Sequence, residues 1–437
     1  MSETIDIESE YVTRVEGHGN IVVNVADGDV ETCEWNVVES PRFFESMLVD
    51  RDYTEAHHVT ARICAICSIS HTTASLKATE AALGIGLSAQ DEHLRKLALY
   101  GETLQSHVLH LGYLALPDLV GKQSVLPLLD SHEEEVETVV RLHRLGNDLT
   151  EAIAGRSVHA QRHLPGGFSK LPEEDELDAL RDRLESAWGD VEAVADLLLE
   201  LSEELPEFER ETEFISLTHP DEYAFYDGTL YSSDTGELDV SDYRDIVNEA
   251  VVEGSTAKFT AHNRDSYMVG ALARFNNNAA QLGPMATAVA DRFGLESVCH
   301  NPYLNNVAQL VEIAHLIEAS ITEIDALLAG GLDPQSEYHT PEVDVTAGSG
   351  IGAVEVPRGV LFHDYTYDEG GEITDANCVI PTNQNHANIQ SDMEALVPTI
   401  LDRSEDEIEL TLEMLVRAYD PCISCSTHYL DVEFVGE

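Results

Sequence analysis

Two cysteine pairs, Cys64-Ala65-Ile66-Cys67 and Cys422-Ile423-Ser424-Cys425, stand near opposite ends of a chain of 437 residues. Only folding can bring them together. Four gathered thiolates hold a soft or borderline metal, or shuttle a disulfide. Arg62 and His71 flank the first pair, and Asp420 and His428 flank the second. A purely structural staple has no need of such acid–base groups, so the pattern points to a metal active site. Cys64 and Cys67, at i and i+3 entering a helix, should project their sulfurs to one side. His71, one turn further on, could hydrogen-bond a coordinated sulfur.

The bland alternatives are a zinc ribbon and a thioredoxin-type pair. A ribbon keeps both its pairs close in sequence, and a redox pair of the second kind sits in a βαβ unit. Neither context surrounds these cysteines. The other thiols, Cys33, Cys299 and Cys378, read as small buried hydrophobes. Gly348-Ser349-Gly350-Ile351-Gly352 resembles a nucleotide loop, but a strand-like, proline-broken Val354-Glu355-Val356-Pro357 follows it. A dinucleotide site needs a helix N-terminus there, so that reading is rejected. His57 and His58 have no partner spacing that supports metal binding.

The elements that must position these residues are mostly helical. Alternation of Ile21, Val23 and Val25, with a turn at Asp27-Gly28, predicts a hairpin within 11–40. Helical spacing runs from about Thr54 to Gly112 and through 132–155, 173–204, 258–292 and 304–331. Residues 206–245 read as a loop or small-hairpin excursion. A strand-rich patch covers about 344–382, and two helices, near 386–400 and 405–418, lead into the second cysteine pair. The expected fold is mainly α with small β elements, one domain over 1–437, its N- and C-terminal segments meeting at a buried metal site.

Composition narrows the function classes. The chain carries 82 acidic against 24 basic residues, a net charge of −58, with five lysines. A phosphate backbone needs a basic footprint, so nucleic-acid binding is excluded. The carboxylates spread along the whole length, and such a surface repels itself in dilute buffer and is screened by salt. That is the expectation for a halophile's protein. No apolar run is long enough to span a membrane, and no secretory signal is visible at Met1-Ser2-Glu3-Thr4. A cytoplasmic location is expected.

With Arg62 to His71, the stretch from Asp420 to His428 closely resembles the large, catalytic subunit of [NiFe] hydrogenases, nearest the multi-subunit, NAD(P)-linked, sulfhydrogenase-like group. The likeness runs through Thr13-Arg14-Val15-Glu16-Gly17-His18-Gly19, Glu39-Ser40-Pro41-Arg42-Phe43-Phe44-Glu45 and Gly155-Arg156-Ser157-Val158-His159. It continues through Pro165-Gly166-Gly167-Phe168, Glu355-Val356-Pro357-Arg358-Gly359 and Pro381-Thr382-Asn383-Gln384-Asn385. Ala65, Asn383 and Ala160 stand where the family often has glycine, threonine and proline; none of these departures removes a ligand.

The resemblance implies terminal nickel ligands at Cys64 and Cys422, and nickel–iron bridges at Cys67 and Cys425. It implies carbonyl and cyanide ligands on the iron. Arg358 would hang over the metals, with Pro381 and Thr382 lining the pocket and Asp118 and Asp420 holding the arginine. Glu16 would relay protons, and His71 and Asp420 would tune the sulfurs. Glu45 and His428, with the backbone carbonyl of Cys378, would hold a magnesium-type ion. The implied partners are an iron–sulfur small subunit, flavin and NAD(P) modules, metal-insertion accessory proteins and a maturation endopeptidase. That endopeptidase would remove residues 429–437. The implied reaction is reversible heterolysis of dihydrogen, which needs a Lewis-acidic metal and a nearby base for the proton. Two alternatives remain in view: the related quinone-side subunit of respiratory complex I, which lacks the four cysteines, and a zinc-knotted scaffold, which leaves Glu16, Arg358 and Asp420 without a task.

Overall fold

The computed structural model describes residues 5–202, 205–333 and 343–427. The chain opens with an antiparallel sheet of β1 (Ile5–Ser9), β2 (Gly19–Ala26) and β3 (Asp29–Val37). Asp27 and Gly28 both have positive φ, 55° and 87°, as a tight hairpin turn with the twist of its strands requires. Ile21, Val23 and Val25 alternate inward as expected.

Two short helices, α1 (Phe44–Leu48) and α2 (Ala56–Thr60), precede α3 (Ser68–Leu83) and α4 (Ala89–Leu109). A π-helical turn, His110–Ala115, runs into α5 (Leu116–Leu119), and α6 (Glu133–Ala154) follows. β4 (His163–Leu164) pairs with β5 (Gly167–Phe168); the apolar spacing over 173–204 resolves into α7 (Glu174–Ser186) and α8 (Trp188–Glu200), meeting at Ala187. The acidic excursion after it is more ordered than expected. β6 (Glu213–Thr218), β7 (Thr229–Ser232) and β8 (Gly236–Leu238) lead to α9 (Tyr243–Val247), and β9 (Tyr267–Met268) completes a sheet of order β8-β7-β6-β9.

The long helix expected over 258–292 does not form. The buried carboxylate of Glu213 accepts the backbone N–H groups of Asn263 and Arg264 and approaches His262 Nδ1, which draws that stretch into an irregular path. Helix resumes as α10 (Ala271–Asn278), and α11 (Pro284–Phe293) starts afresh at Gly283-Pro284, since proline suits a first turn and breaks an interior. The long α12 (Asn305–Gly330), buried through its N-terminal half, packs against α4, which also packs against α6; these three form the central body.

The strand-rich patch is an antiparallel sheet of β10 (Gly348–Val356), β11 (Gly359–Tyr367) and β12 (Ile373–Val379), followed by α13 (Pro381–Leu396) and α14 (Glu405–Ala418). The glycines of β10 face α3. A Cβ on Gly348, Gly350 or Gly352 would lie 2.4, 2.3 or 2.1 Å from the backbone oxygens of Ala82, Ala78 and Ala74. Strand residues two apart therefore meet helix residues four apart on a seam closed to side chains. This seam, and not a phosphate, is what the glycine run serves. It seats α3, whose N-terminus carries the first cysteine pair.

Candidate metal centre

Cys64 and Cys67 lie in the turn between α2 and α3, with Cys67 at the helix N-cap and its N–H donating to Cys64 Sγ at 3.3 Å. The pair thus enters α3 as its spacing leads one to expect, and the two sulfurs face the same cluster. Glu102 of α4 fixes the start of α3: its carboxylate accepts from the Ile69 and Ser70 amides at 2.6 and 2.8 Å and from the Ser70 hydroxyl. Burial pushes the Glu102 carboxyl up to about 8 against those donors. The second pair follows α14, where Asp420 adopts φ 51° and a 3-10 turn over Ile423–Thr427 presents Cys422 and Cys425.

All four sulfurs are buried and lie within 4.8 Å of one another. Cys64 Sγ is 3.5 Å from Cys422 Sγ, which is 2.7 Å from Cys425 Sγ. Hydrogen bonding from Cys422, Cys425 and Cys67 holds the Cys64 thiol well below its ordinary range. Cys422 is pushed well above it by its bonding to Cys425, Cys64 and Cys67, and burial raises Cys425 to about 11. Four sulfurs this close must share protons among themselves, so the cluster disfavours four free thiolates. A bound cation would take the place of those protons.

The surrounding groups converge on this cluster. Residues 16 and 422 form an isolated parallel bridge, with Ile423 N donating to Glu16 O at 2.8 Å. The Glu16 carboxylate accepts from Ser424 N at 3.0 Å and Ser424 Oγ at 2.6 Å, and Cys422 Sγ lies 3.3 Å from its Oε2. Arg358, in the turn between β10 and β11, is buried. It donates through Nε to Asp420 O at 2.6 Å and through its terminal nitrogens to Asp420 Oδ1 at 2.7 Å and Ser106 Oγ at 3.3 Å. Burial opposes its charge, but Asp420 and the sulfurs of Cys422, Cys67 and Cys64 outweigh that and raise its pKa. Arg274 steadies the same turn, donating to Val356 O and Pro357 O at 2.7 and 3.0 Å. Buried Pro381 opens α13, and next to it Thr382 Oγ1 accepts from Cys422 N at 2.9 Å.

Other expected residues sit elsewhere. The carboxylate of Asp118 is taken by Arg417, at 2.6 and 3.0 Å, and by Arg14. It therefore braces the N-terminal segment against α14 and does not hold Arg358; Asp420 does that, and Gln309 Nε2 donates to the other Asp420 oxygen at 3.1 Å. His71 is buried on α3 with its Nδ1 3.0 Å from His363 Nε2. Glu45 is buried on α1, which packs on β12, where Cys378 lies opposite His363. Burial, with the charge of Glu45 next, keeps the Cys378 thiol well above its ordinary range. His428 lies outside the described residues. His57 is buried with Nε2 3.1 Å from His163 O, while His58 is exposed.

Sequence reasoning missed Glu102 and Ser106. Both lie on one face of α4, four residues apart, with His110 four further on. Polar residues at that spacing in a helix this buried were the available signal.

Comparison with known proteins decides the family. The model of the nickel-dependent hydrogenases matches residues 42–138 and 255–428, and a HoxL-like model matches residues 5–40. The chain belongs to the nickel-dependent hydrogenases. It is 32% identical to sulfhydrogenase 1 subunit alpha of Pyrococcus furiosus over 97% of this chain and 98% of that one. It is 30% identical to the NAD-reducing hydrogenase HoxS subunit beta of Cupriavidus necator, over 96% and 94%. The crystal structure of an NAD+-reducing [NiFe]-hydrogenase in its H2-reduced state superposes with a TM-score of 0.85 at 30% identity, covering 97% of this chain and 99% of that one.

The protein is thus a [NiFe] hydrogenase catalytic large subunit, and its four buried cysteines fit nickel and iron, whose affinity for thiolate donors is high. No helix among the described residues is long and apolar enough to cross a membrane.

Proposed function

We propose that this hydrogenase subunit passes the electrons of dihydrogen through an iron–sulfur small subunit and a flavin module to NAD(P)+. Support comes from the NAD-reducing relatives and from a chain with too few cysteines for clusters of its own. Cys64 and Cys422 are assigned as terminal nickel ligands, Cys67 and Cys425 as nickel–iron bridges, and the iron is assigned carbonyl and cyanide ligands. The bound metals supply the Lewis acidity and the redox change.

The chain's own residues manage the proton. The Cys422 sulfur accepts it, the Glu16 carboxylate 3.3 Å away takes it on, and Ser424 Oγ at 2.6 Å stands next along the way. That contact between a carboxylate and a cluster sulfur is the observation that carries the reading. Arg358 is assigned to the cyanide side, fixed by Asp420, with Pro381 and Thr382 lining the same pocket and His71 tuning a sulfur through its second ring nitrogen. Glu45, the Cys378 carbonyl and His428 are assigned to a magnesium ion. The chain is read as one domain whose residues 429–437 are removed by an endopeptidase after accessory proteins insert the metal, and as working in the cytoplasm.

The net charge of −58 supports a salt-adapted surface. Circular dichroism should show loss of structure on dilution out of molar salt, and an unchanged melt in dilute buffer would remove that assignment. The relay is tested by Glu16→Gln, which should suppress exchange between dihydrogen and deuterated water while the metals still assemble.

A further inference from the structure

Two cysteine turns drawn from opposite ends of the chain must stay in register, although neither is part of a regular element that could hold the other. The C-terminal turn has local tethers: its backbone leans on Glu16 and Thr382. The N-terminal turn has its own, from Glu102 on the start of α3. What these tethers do not supply is a strong bond from one turn to the other; the direct contacts run through sulfur, Cys64 Sγ 3.5 Å from Cys422 Sγ and Cys425 Sγ 3.9 Å from Ile63 O.

Arg42 spans that gap. It stands two residues before α1, and its guanidinium nitrogen donates to Ile63 O at 2.7 Å and to Ser424 O. Ile63 immediately precedes Cys64, and Ser424 immediately precedes Cys425. One nitrogen thus grips the carbonyl ahead of a cysteine in each pair. The backbone N–H of the same residue donates to Thr427 O at 2.9 Å, anchoring the far end of the C-terminal turn. The guanidinium carbon lies 5.1 Å from the centre of the Phe44 ring, a cation–π contact that fixes the side chain's direction.

We propose that Arg42 is a positioning residue, the latch that closes the C-terminal cysteine turn over the N-terminal one and sets how firmly the metals are retained. The inference rests on the reading of the four cysteines as the nickel–iron site. The two hydrogens of one terminal nitrogen serve the two carbonyls, while the planar guanidinium rests on the Phe44 ring. A lysine ammonium has hydrogens enough for both carbonyls but lacks the planar group that the Phe44 ring holds in direction, so it orders the two bonds less well. The latch acts on sulfur geometry through the peptide units, and Arg42 touches no sulfur itself.

The test uses the full chain as isolated in high salt, with Arg42→Ala, Arg42→Lys and a surface control, Arg141→Ala, whose exposed ion pair with Asp190 joins α6 to α8. Two quantities are read: the rate of nickel release to excess EDTA, and hydrogen–deuterium exchange in peptides covering 61–67, 419–427 and 305–330. For Arg42→Ala, nickel release should rise at least tenfold and exchange should rise in both cysteine peptides but not in 305–330. Arg42→Lys should fall between alanine and wild type, and Arg141→Ala should match wild type. Nickel release within twofold of wild type, or exchange rising equally in 305–330, would overturn the latch. A wild-type chain that holds no nickel would remove the hydrogenase reading instead, and the exchange pattern would then decide the latch alone.

Discussion

Replacing Glu16 with glutamine separates the relay from the scaffold. The backbone bridge between residues 16 and 422 is untouched, since it uses Ile423 N on Glu16 O at 2.8 Å. The side chain loses charge but keeps an acceptor for Ser424 N, and its new amide can donate to Ser424 Oγ, now 2.6 Å from the carboxylate. Exchanging two charge-assisted hydrogen bonds for neutral ones costs about 1–2 kcal/mol, so the four sulfurs stay in place. The amide cannot accept and release the proton of Cys422 Sγ, 3.3 Å away. Loss of a positioned acid–base group slows proton transfer by about 10²–10⁴-fold. Two isotope assays then diverge. Formation of HD and D2 from H2 in D2O needs protons to leave the site and should fall by at least a hundredfold. Interconversion of ortho- and para-hydrogen needs only cleavage and recombination in place, and should change by less than threefold. Metal content should equal that of the wild type. Exchange at the wild-type rate in a metal-replete variant would refute the relay, and loss of nickel would mean that the carboxylate is mainly structural.

Arg358→Lys should cost about 2–3 kcal/mol in a denaturant melt, because one ammonium cannot reach Asp420 O, Asp420 Oδ1 and Ser106 Oγ together. Dye-linked hydrogen uptake should fall more than tenfold with metals retained; full activity would reduce Arg358 to a salt-bridge partner. Gly350→Ala puts a methyl 2.3 Å from backbone atoms of Ala78 and Ala82. It should destabilise the chain by at least about 2 kcal/mol, and an unchanged melting temperature would show that α3 and β10 can separate freely. Glu355 shares Arg274 with Glu312, and Arg274 bonds both oxygens of Glu312, holding that carboxyl down to about 2 against burial. Burial, only partly offset by Arg274, raises Glu355 to about 7 from an ordinary 4.5. Its folded pKa is the higher one, so it binds its proton more tightly in the native state, and stability falls as pH rises from about 4.5 through 7. Glu355→Gln lacks this loss, and its stability relative to wild type should improve by about 3 kcal/mol across that window. A pH-independent difference would contradict the assignment.

Local chemistry made some elements legible. Ser404 and Glu407 form a reciprocal cap on α14, so its start was readable from two residues. The Asp27-Gly28 turn likewise fixed its hairpin. Other features depend on partners distant in the chain. The spacing over 258–292 is helical, but Glu213 captures the amides of Asn263 and Arg264. The glycines of β10 have meaning only against Ala74, Ala78 and Ala82. At the site, the two cysteine pairs and the acid–base residues beside them carried both the chemistry and the expectation that the pairs converge, and the fold brings the four sulfurs within 4.8 Å of one another; the individual ligand roles came from the family resemblance. Asp118 shows the limit of that transfer: Arg417 and Arg14 claim its carboxylate before Arg358 can. Glu102 was overlooked because its one signal, polar residues four apart with Ser106 and His110, tells only once the burial of α4 is known.

The metal content of the chain, isolated anaerobically in high salt, tests the central claim most directly. One nickel and one iron per chain, both lost in a Cys422→Ala variant, is the predicted result. Zinc alone, bound by the same four cysteines, would contradict it and leave a structural knot in place of a hydrogenase centre.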